Sequence, residues 1–310
     1  MQKTGYVDLH CDSLTACFDK GAQMADFNGQ INLKNLTASG CVLQCVAVFT
    51  KREKDEKKFF EYVKFFDQTL DSCGELARKI NSFSDVEKAR ADGKVALMLT
   101  VENLAFLRGE AGRIYDLKKM GVNMASLTWN FQNKLAYPCS NDQKTHEKPL
   151  KTAGLQTVEV MDDCKMIVDL SHLSSGGVDQ ILRGRKKPLV ASHTACFSLC
   201  QNARNLTDEQ IKKIADCGGV VGLCLYDKFL GDSDVFYGVY NHIKRLVDVG
   251  GEGVVALGTD FDGLPKESAY LSCKDVGALL NYLKNKGVSQ RVIERFAYKN
   301  ALRVIKDVLG

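Results

Sequence analysis

The sequence predicts an α/β protein built as a distorted (β/α)8 barrel of the TIM type with closing C-terminal helices. Two observations carry this expectation. Eight short apolar runs alternate with longer amphipathic stretches over about 260 residues, the rhythm of β-α units wound around a parallel sheet. Metal-ligating and proton-transfer side chains recur at the C-terminal ends of those runs, where such barrels collect their catalytic groups. A doubly wound open sheet shares the rhythm, so the placement of the polar residues is what favours the barrel.

Taken in order, the strand candidates are "YVDLH" (6–10), "CVLQCVAVF" (41–49), "KVALMLTVE" (94–102), "NMASLTW" (123–129), "KMIVDLSH" (165–172), "KPLVASH" (187–193), "GVVGLCLY" (219–226) and "EGVVALGTD" (252–260). Between them, residues 59–80, 206–218 and 234–250 read as helices. The second has Thr207 as a cap, Gln210 three residues later and Gly218 after the last turn. Residues beyond the eighth run read as two or three closing helices.

With 310 residues and 45% hydrophobic composition, the chain can bury a large core. Only four prolines occur, at 138, 149, 188 and 265, and no Ser/Gly-rich stretch divides the chain, so residues 1–310 are expected to form a single domain. A net charge of +4, from 42 basic and 38 acidic residues, argues against a nucleic-acid partner. The run "KREKDEKK" (51–58) mixes both signs and reads as a solvated helix start. Strand-like sequence begins within five residues of Met1, leaving no room for a secretory leader, and no apolar run approaches a bilayer span. A cytoplasmic protein without a membrane partner is expected. The twelve cysteines contain no Cys-x-x-Cys pair, and Cys41, Cys45 and Cys224 sit in apolar runs, as small buried hydrophobes do in a reducing compartment.

The polar strand ends define the chemistry. They supply His10 and Asp12, Glu102, His172, His193 and Asp260, and three of the chain's five histidines fall there. Residues i and i+2 of a strand face the same side, so His10 and Asp12 can reach one point. Imidazole and carboxylate are ligands that zinc accepts, and a catalytic zinc takes about three protein ligands. His10 with Asp12 lacks a third ligand, as does His172 with His193. Glu102, giving one oxygen to each ion, completes both sets. Two zinc ions about 3.5–4 Å apart would then share and acidify a bridging water.

The segments "DLHCD", "TVEN", "DLSHLS", "ASHT", "NARNLTDEQI" and "LGTDFDG" occur in the order and spacing of the renal, or membrane, dipeptidase family, zinc peptidases of the amidohydrolase superfamily, which the chain resembles from about residue 5 to residue 305. The resemblance implies a distorted (β/α)8 barrel with two zinc ions, one on His10, Asp12 and Glu102 and the other on Glu102, His172 and His193. It further implies that Arg204 clamps the substrate carboxylate, that Asp260 is the catalytic aspartate beside the bridging hydroxide, and that a small peptide is the substrate. In "LTWN", Trp129 stands where many members place a substrate-contacting histidine, so oxyanion stabilisation would rest more on zinc or on another donor, such as a swinging His146 from the loop 131–149. A related amidohydrolase acting on another amide, a lactam or an N-acyl amino acid, and a barrel that binds metal without turnover, are the alternatives. A homodimer is compatible with the chain. "DFDG" (260–263) is not a calcium loop, because Leu264 and Leu271 occupy ligand positions.

Overall fold

The computed structural model describes residues 5–268 and 270–310; the first four residues of the N-terminal stretch lie outside this range. Eight parallel strands form a ring: β1 (Tyr6–Asp8), β2 (Cys41–Phe49), then, past a short β3 (Ala77–Lys79), β4 (Val95–Glu102), β5 (Val122–Ser126), β6 (Ile167–Asp169), β7 (Val190–Thr194), β8 (Val220–Leu223) and β9 (Val255–Leu257). The expected barrel is therefore the observed one. Every residue of β4 is buried, because one face of each strand meets the barrel interior and the other meets the helices.

The ring closes between β9 and β1 through backbone bonds from Leu9 N–H to Leu257 O (3.0 Å), Asp260 N–H to His10 O (3.1 Å) and Asp12 N–H to Phe261 O (2.9 Å). Buried Asp8 seals the same seam. Its carboxylate accepts from the Thr259 N–H (2.8 Å), the Thr259 hydroxyl (2.7 Å) and the Gln44 amide (2.9 Å). Gly258 is required here because a Cβ would lie 1.6 Å from the Ser192 carbonyl oxygen. Distortion shows in the brevity of several strands, in register shifts, and in a β6–β7 contact reduced to the Asp169–Val190 pair.

Leu43, Met98, Met124, Val190, Val220 and Ala256, one from each of six strands, cluster with Ala301, Val304 and Ile305 of the last helix, Asn300–Leu309. The last of the expected closing helices thus plugs the barrel end opposite the polar strand ends. Helix Asp208–Asp216 begins at Thr207 with the reciprocal Thr207–Gln210 cap, as the sequence predicts, and the helix expected over 234–250 is Val235–Gly250, which starts on the Asp234 carboxylate.

One helix expectation is corrected. Residues 59–80 do not form one helix: the element is Glu56–Ser72, and after Gly74 the chain enters β3, which pairs with the lower half of β4. The apolar spacing there is too short to distinguish the two states, and the open edge of β4 selects the strand. Strand ends also fall earlier than expected, so His10, Trp129, His172 and Asp260 sit in loops just beyond their strands.

Replacing Asp8 with alanine removes the acceptor for four buried donors at the barrel seam, the fourth being the His10 N–H (3.3 Å). Asp8→Ala should lower the unfolding free energy by about 3 kcal/mol or more, read from urea denaturation of purified protein. A change below about 1 kcal/mol would show that the seam does not depend on it.

Candidate metal centre

Barrel closure brings His10 and Asp12 beside Glu102, and the β6 and β7 ends bring His172 and His193 to its other side. The Glu102 Oε2 atom lies 3.9 Å from His10 Nε2, which is 3.8 Å from Asp12 Oδ2 and 3.7 Å from Asp260 Oδ1. Its Oε1 atom faces the other set, 2.7 Å from His172 Nε2 and 3.7 Å from His193 Nε2. The two oxygens of one buried carboxylate therefore address two separate donor sets. Donor atoms of His10, Asp12 and Glu102, and of Glu102, His172 and His193, lie within 4.8 Å of one another, as do those of His10, His193 and Asp260.

Hydrogen bonds on the far side of the rings define which nitrogens face inward. The Ser192 hydroxyl gives its one proton to Asp169 Oδ2 (2.6 Å), so it accepts from His193 Nδ1–H (2.8 Å). The His172 Nδ1–H donates to Asn130 Oδ1 (2.9 Å). Burial, with the charges of Arg204 and His10, pushes both imidazoles well below their ordinary range, so both rings are neutral and both Nε2 atoms present lone pairs. These lone pairs face each other at 2.9 Å and face the Glu102 carboxylate, an arrangement that repels unless a positive charge lies among them.

The remaining electrostatics agree. Burial raises Glu102 well above the carboxylate range, with Asp12 and Asp260 adding to the effect. Burial also pushes Asp260 up to about 7. For His10, burial opposes the charge, but the surrounding carboxylates outweigh it and raise the ring to about 10. Without a cation the acids hold protons they would otherwise release. His10 Nε2 and Asp12 Oδ1 are buried and have no hydrogen-bond partner among the described residues. Unpaired donor atoms, inward lone pairs and crowded carboxylates together fit a metal centre.

His172 and Asp260 both adopt left-handed backbone, with φ of 67° and 60°, a conformation that is strained for such residues and that turns their side chains into the barrel mouth. Gly263 leaves room for the two acids, since a Cβ there would lie 2.2 Å from Asp12 Oδ2. Arg204 follows β7; one of its nitrogens donates to His193 O (3.2 Å), its guanidinium lies 5.2 Å from the Phe229 ring, and it has no carboxylate partner among the described residues. It lines a cavity of about 350 Å3 that reaches His172 and His146. His146 sits on a short helix, where its Nδ1 accepts from the Ser140 N–H (3.3 Å). Trp129 stands at the rim, its ring 6.3 Å from that of His172.

A model of the membrane dipeptidase family, peptidase family M19, matches residues 1–309. The chain belongs to this family. It is accordingly a metal-dependent dipeptidase, a hydrolase. It is 32% identical over 249 residues to an uncharacterized protein of the pqqA 5′ region of Klebsiella pneumoniae, covering 76% of this chain and 90% of that one. It is 30% identical over 262 residues to dipeptidase aclJ of Aspergillus oryzae, covering 80% of this chain but only 60% of the fungal protein's length. The crystal structure of dipeptidase AC, a metallopeptidase of family M19, shares the fold with a TM-score of 0.90 at 21% identity, covering all of both chains. So does a metallopeptidase from Rhodobacter sphaeroides liganded with a phosphinate mimic of the dipeptide L-Ala-D-Ala, with a TM-score of 0.90 at 20% identity, covering 99% of this chain and 100% of that one. The family's description names the membrane; among the described residues here, no helix is long and apolar enough to cross one.

The outer groups Asn130, Ser192 and Asp169 were not singled out by sequence reasoning. Ser192 and Asn130 adjoin His193 and Trp129, but serine and asparagine are too common for adjacency to mark them. Ser192→Ala removes the acceptor that orients His193 and the donor that Asp169 Oδ2 receives. Affinity for divalent metal should fall about 10- to 100-fold in a competition titration against a chromophoric chelator, with the fold retained by circular dichroism. An unchanged affinity would mean that Ser192 does not position the ring.

Proposed function

We propose that the chain is a dinuclear zinc dipeptidase acting on dipeptides with a free C-terminal carboxylate. The observation that carries this reading is Glu102, whose two oxygens face two separate sets of buried donors. His10, Asp12 and Glu102 would hold one ion, and Glu102, His172 and His193 the other. Nitrogen and carboxylate oxygen donors without thiolate suit zinc. When bound, the pair supplies an acidified water and polarises the peptide carbonyl.

Asp260 takes the proton of the attacking water and returns it to the leaving amine. Its Oδ1 faces the donor cluster at 3.7 Å from His10 Nε2, while Cys224 Sγ–H lies 3.7 Å from Oδ2. Burial holds this carboxyl near 7 before any cation counteracts it, the range in which a carboxylate can both accept and release a proton near neutrality. Arg204 binds the carboxylate: its planar fork lacks an acidic partner among the described residues, and bidentate pairing would fix the peptide with its scissile bond over Glu102. This requirement selects short peptides.

Metal analysis combined with dipeptide hydrolysis, with and without chelator, tests the reading; two zinc ions per chain and chelator-sensitive hydrolysis are expected. C-terminally amidated dipeptides should be hydrolysed at least tenfold less efficiently than free ones, and equal rates would remove Arg204 from its role. Asp260→Asn should keep both ions and lose turnover by about 10²- to 10⁴-fold. Loss of an ion from the folded variant would make Asp260 a ligand instead, since it also joins a donor triad with His10 and His193.

A further inference from the structure

The only tryptophan of the chain stands at the rim of the metal centre, half-buried and flanked by aromatic rings. The Trp129 ring lies 4.9 Å from Phe49 and 5.6 Å from Phe131, both edge-on. Phe131 is 51% exposed. On the other side, the Trp129 ring is 6.3 Å from the candidate ligand His172. Three aromatic side chains from β2 and from the loop after β5 thus form a continuous apolar wall that starts at the metal centre and ends in solvent. An open cavity of about 440 Å3 lies alongside, lined by Phe131, Asn103 and Lys51 among others. An exposed aromatic wall contiguous with a reaction centre is a recognition surface, because burying it against a ligand is favourable and leaving it wet is not.

Strand order decides which part of a substrate meets this wall. Around the ring β1-β2-β4-β5-β6-β7-β8-β9, β2 and β7 are four places apart, on opposite sides of the barrel mouth. Phe49 ends β2, and Arg204 follows β7 with its guanidinium against the His193 carbonyl. Glu102, at the end of β4, lies between. A dipeptide held at its carboxylate by Arg204, with its scissile bond over Glu102, extends its amino-terminal residue toward Phe49, Trp129 and Phe131.

We propose that Phe49, Trp129 and Phe131 form the subsite for the side chain of the amino-terminal residue, and that it selects a bulky apolar or aromatic side chain. The orientation rests on the Proposed function, because Arg204 sets it. Lys51, whose ammonium lies 5.7 Å from the Trp129 ring, makes an acidic side chain the competing ligand, and the test includes it.

Two measurements test the subsite. The first compares kcat/KM for Phe-Gly, Leu-Gly, Ala-Gly and Glu-Gly, which share one carboxyl-terminal residue. Phe-Gly should exceed Ala-Gly by at least tenfold in the wild type, and the ratio should fall below threefold in Trp129→Ala and survive in Trp129→Phe. A wild-type ratio within threefold, a ratio unchanged in Trp129→Ala, or Glu-Gly as the best substrate overturns the proposal. Because Phe131 is exposed, Phe131→Ala provides the same comparison should Trp129→Ala fail to fold.

The second measurement needs no turnover. Emission of the single tryptophan reports on the wall directly, so the metal-loaded protein is titrated with Phe-Gly and Ala-Gly analogues in which a methylene replaces the scissile carbonyl. The Phe analogue should saturate a change in Trp129 emission at a concentration at least tenfold lower than the Ala analogue. Equal responses, or none, overturn the subsite even if dipeptides are hydrolysed. Selective binding without hydrolysis of any dipeptide would support the subsite and instead defeat the dipeptidase reading.

Discussion

Everything at the mouth of this barrel depends on one buried carboxylate placed between two sets of unpaired donors. Glu102 brings its Oε2 toward His10 and Asp12 and its Oε1 toward His172 and His193, where little water reaches. Three carboxylates cannot all stay ionised beside the inward lone pairs of the His172 and His193 imidazoles, since desolvation and mutual repulsion both work against them. Protons relieve part of the strain, as the upward shifts of Glu102, Asp260 and His10 show. Cations relieve it more fully and turn the same crowding into affinity.

The rest of the structure holds that cluster in place. Two buried aspartates do parallel work at two strand ends: Asp8 ties β1 to the loop after β9, and Asp169 ties β6 to Ser192 beside His193. Asp8 thereby fixes the loop that carries Asp260, and Asp169 fixes the strand that carries His193. His172 and Asp260 are held in left-handed backbone at a cost of about 1–3 kcal/mol each, which the surrounding bonds must sustain. The Ser192 hydroxyl and the Asn130 amide then determine which ring nitrogen points inward.

Much of this was legible in the residues, and the failures have physical causes. The eight barrel strands, the Thr207 cap and the closing helices all came from local pattern, because β-branched runs and capping residues act over a few positions. β3 did not, because "ARK" has no strand signature of its own and pairs only because β4 offers it an open edge. For the same reason the helix expected over 59–80 stops at Ser72. Strand ends were placed up to three residues late at His172 and Asp260, where left-handed turns end the ladder without a glycine to announce them.

By itself, the sequence determined the alternation that makes a barrel and the residue types that make a metal centre, since both are carried by short-range pattern and by the chemistry of single side chains. Tertiary structure alone decided the distances at which the two oxygens of Glu102 meet their donor sets, that Ser192 and Asn130 orient the imidazoles, and that Phe49, Trp129 and Phe131 form one wall whose Phe49 end lies across the mouth from Arg204. Apart from Ser192 beside His193 and Trp129 beside Phe131, these relations join residues tens of positions or more apart, and only the winding of the strands side by side into one sheet brings them together.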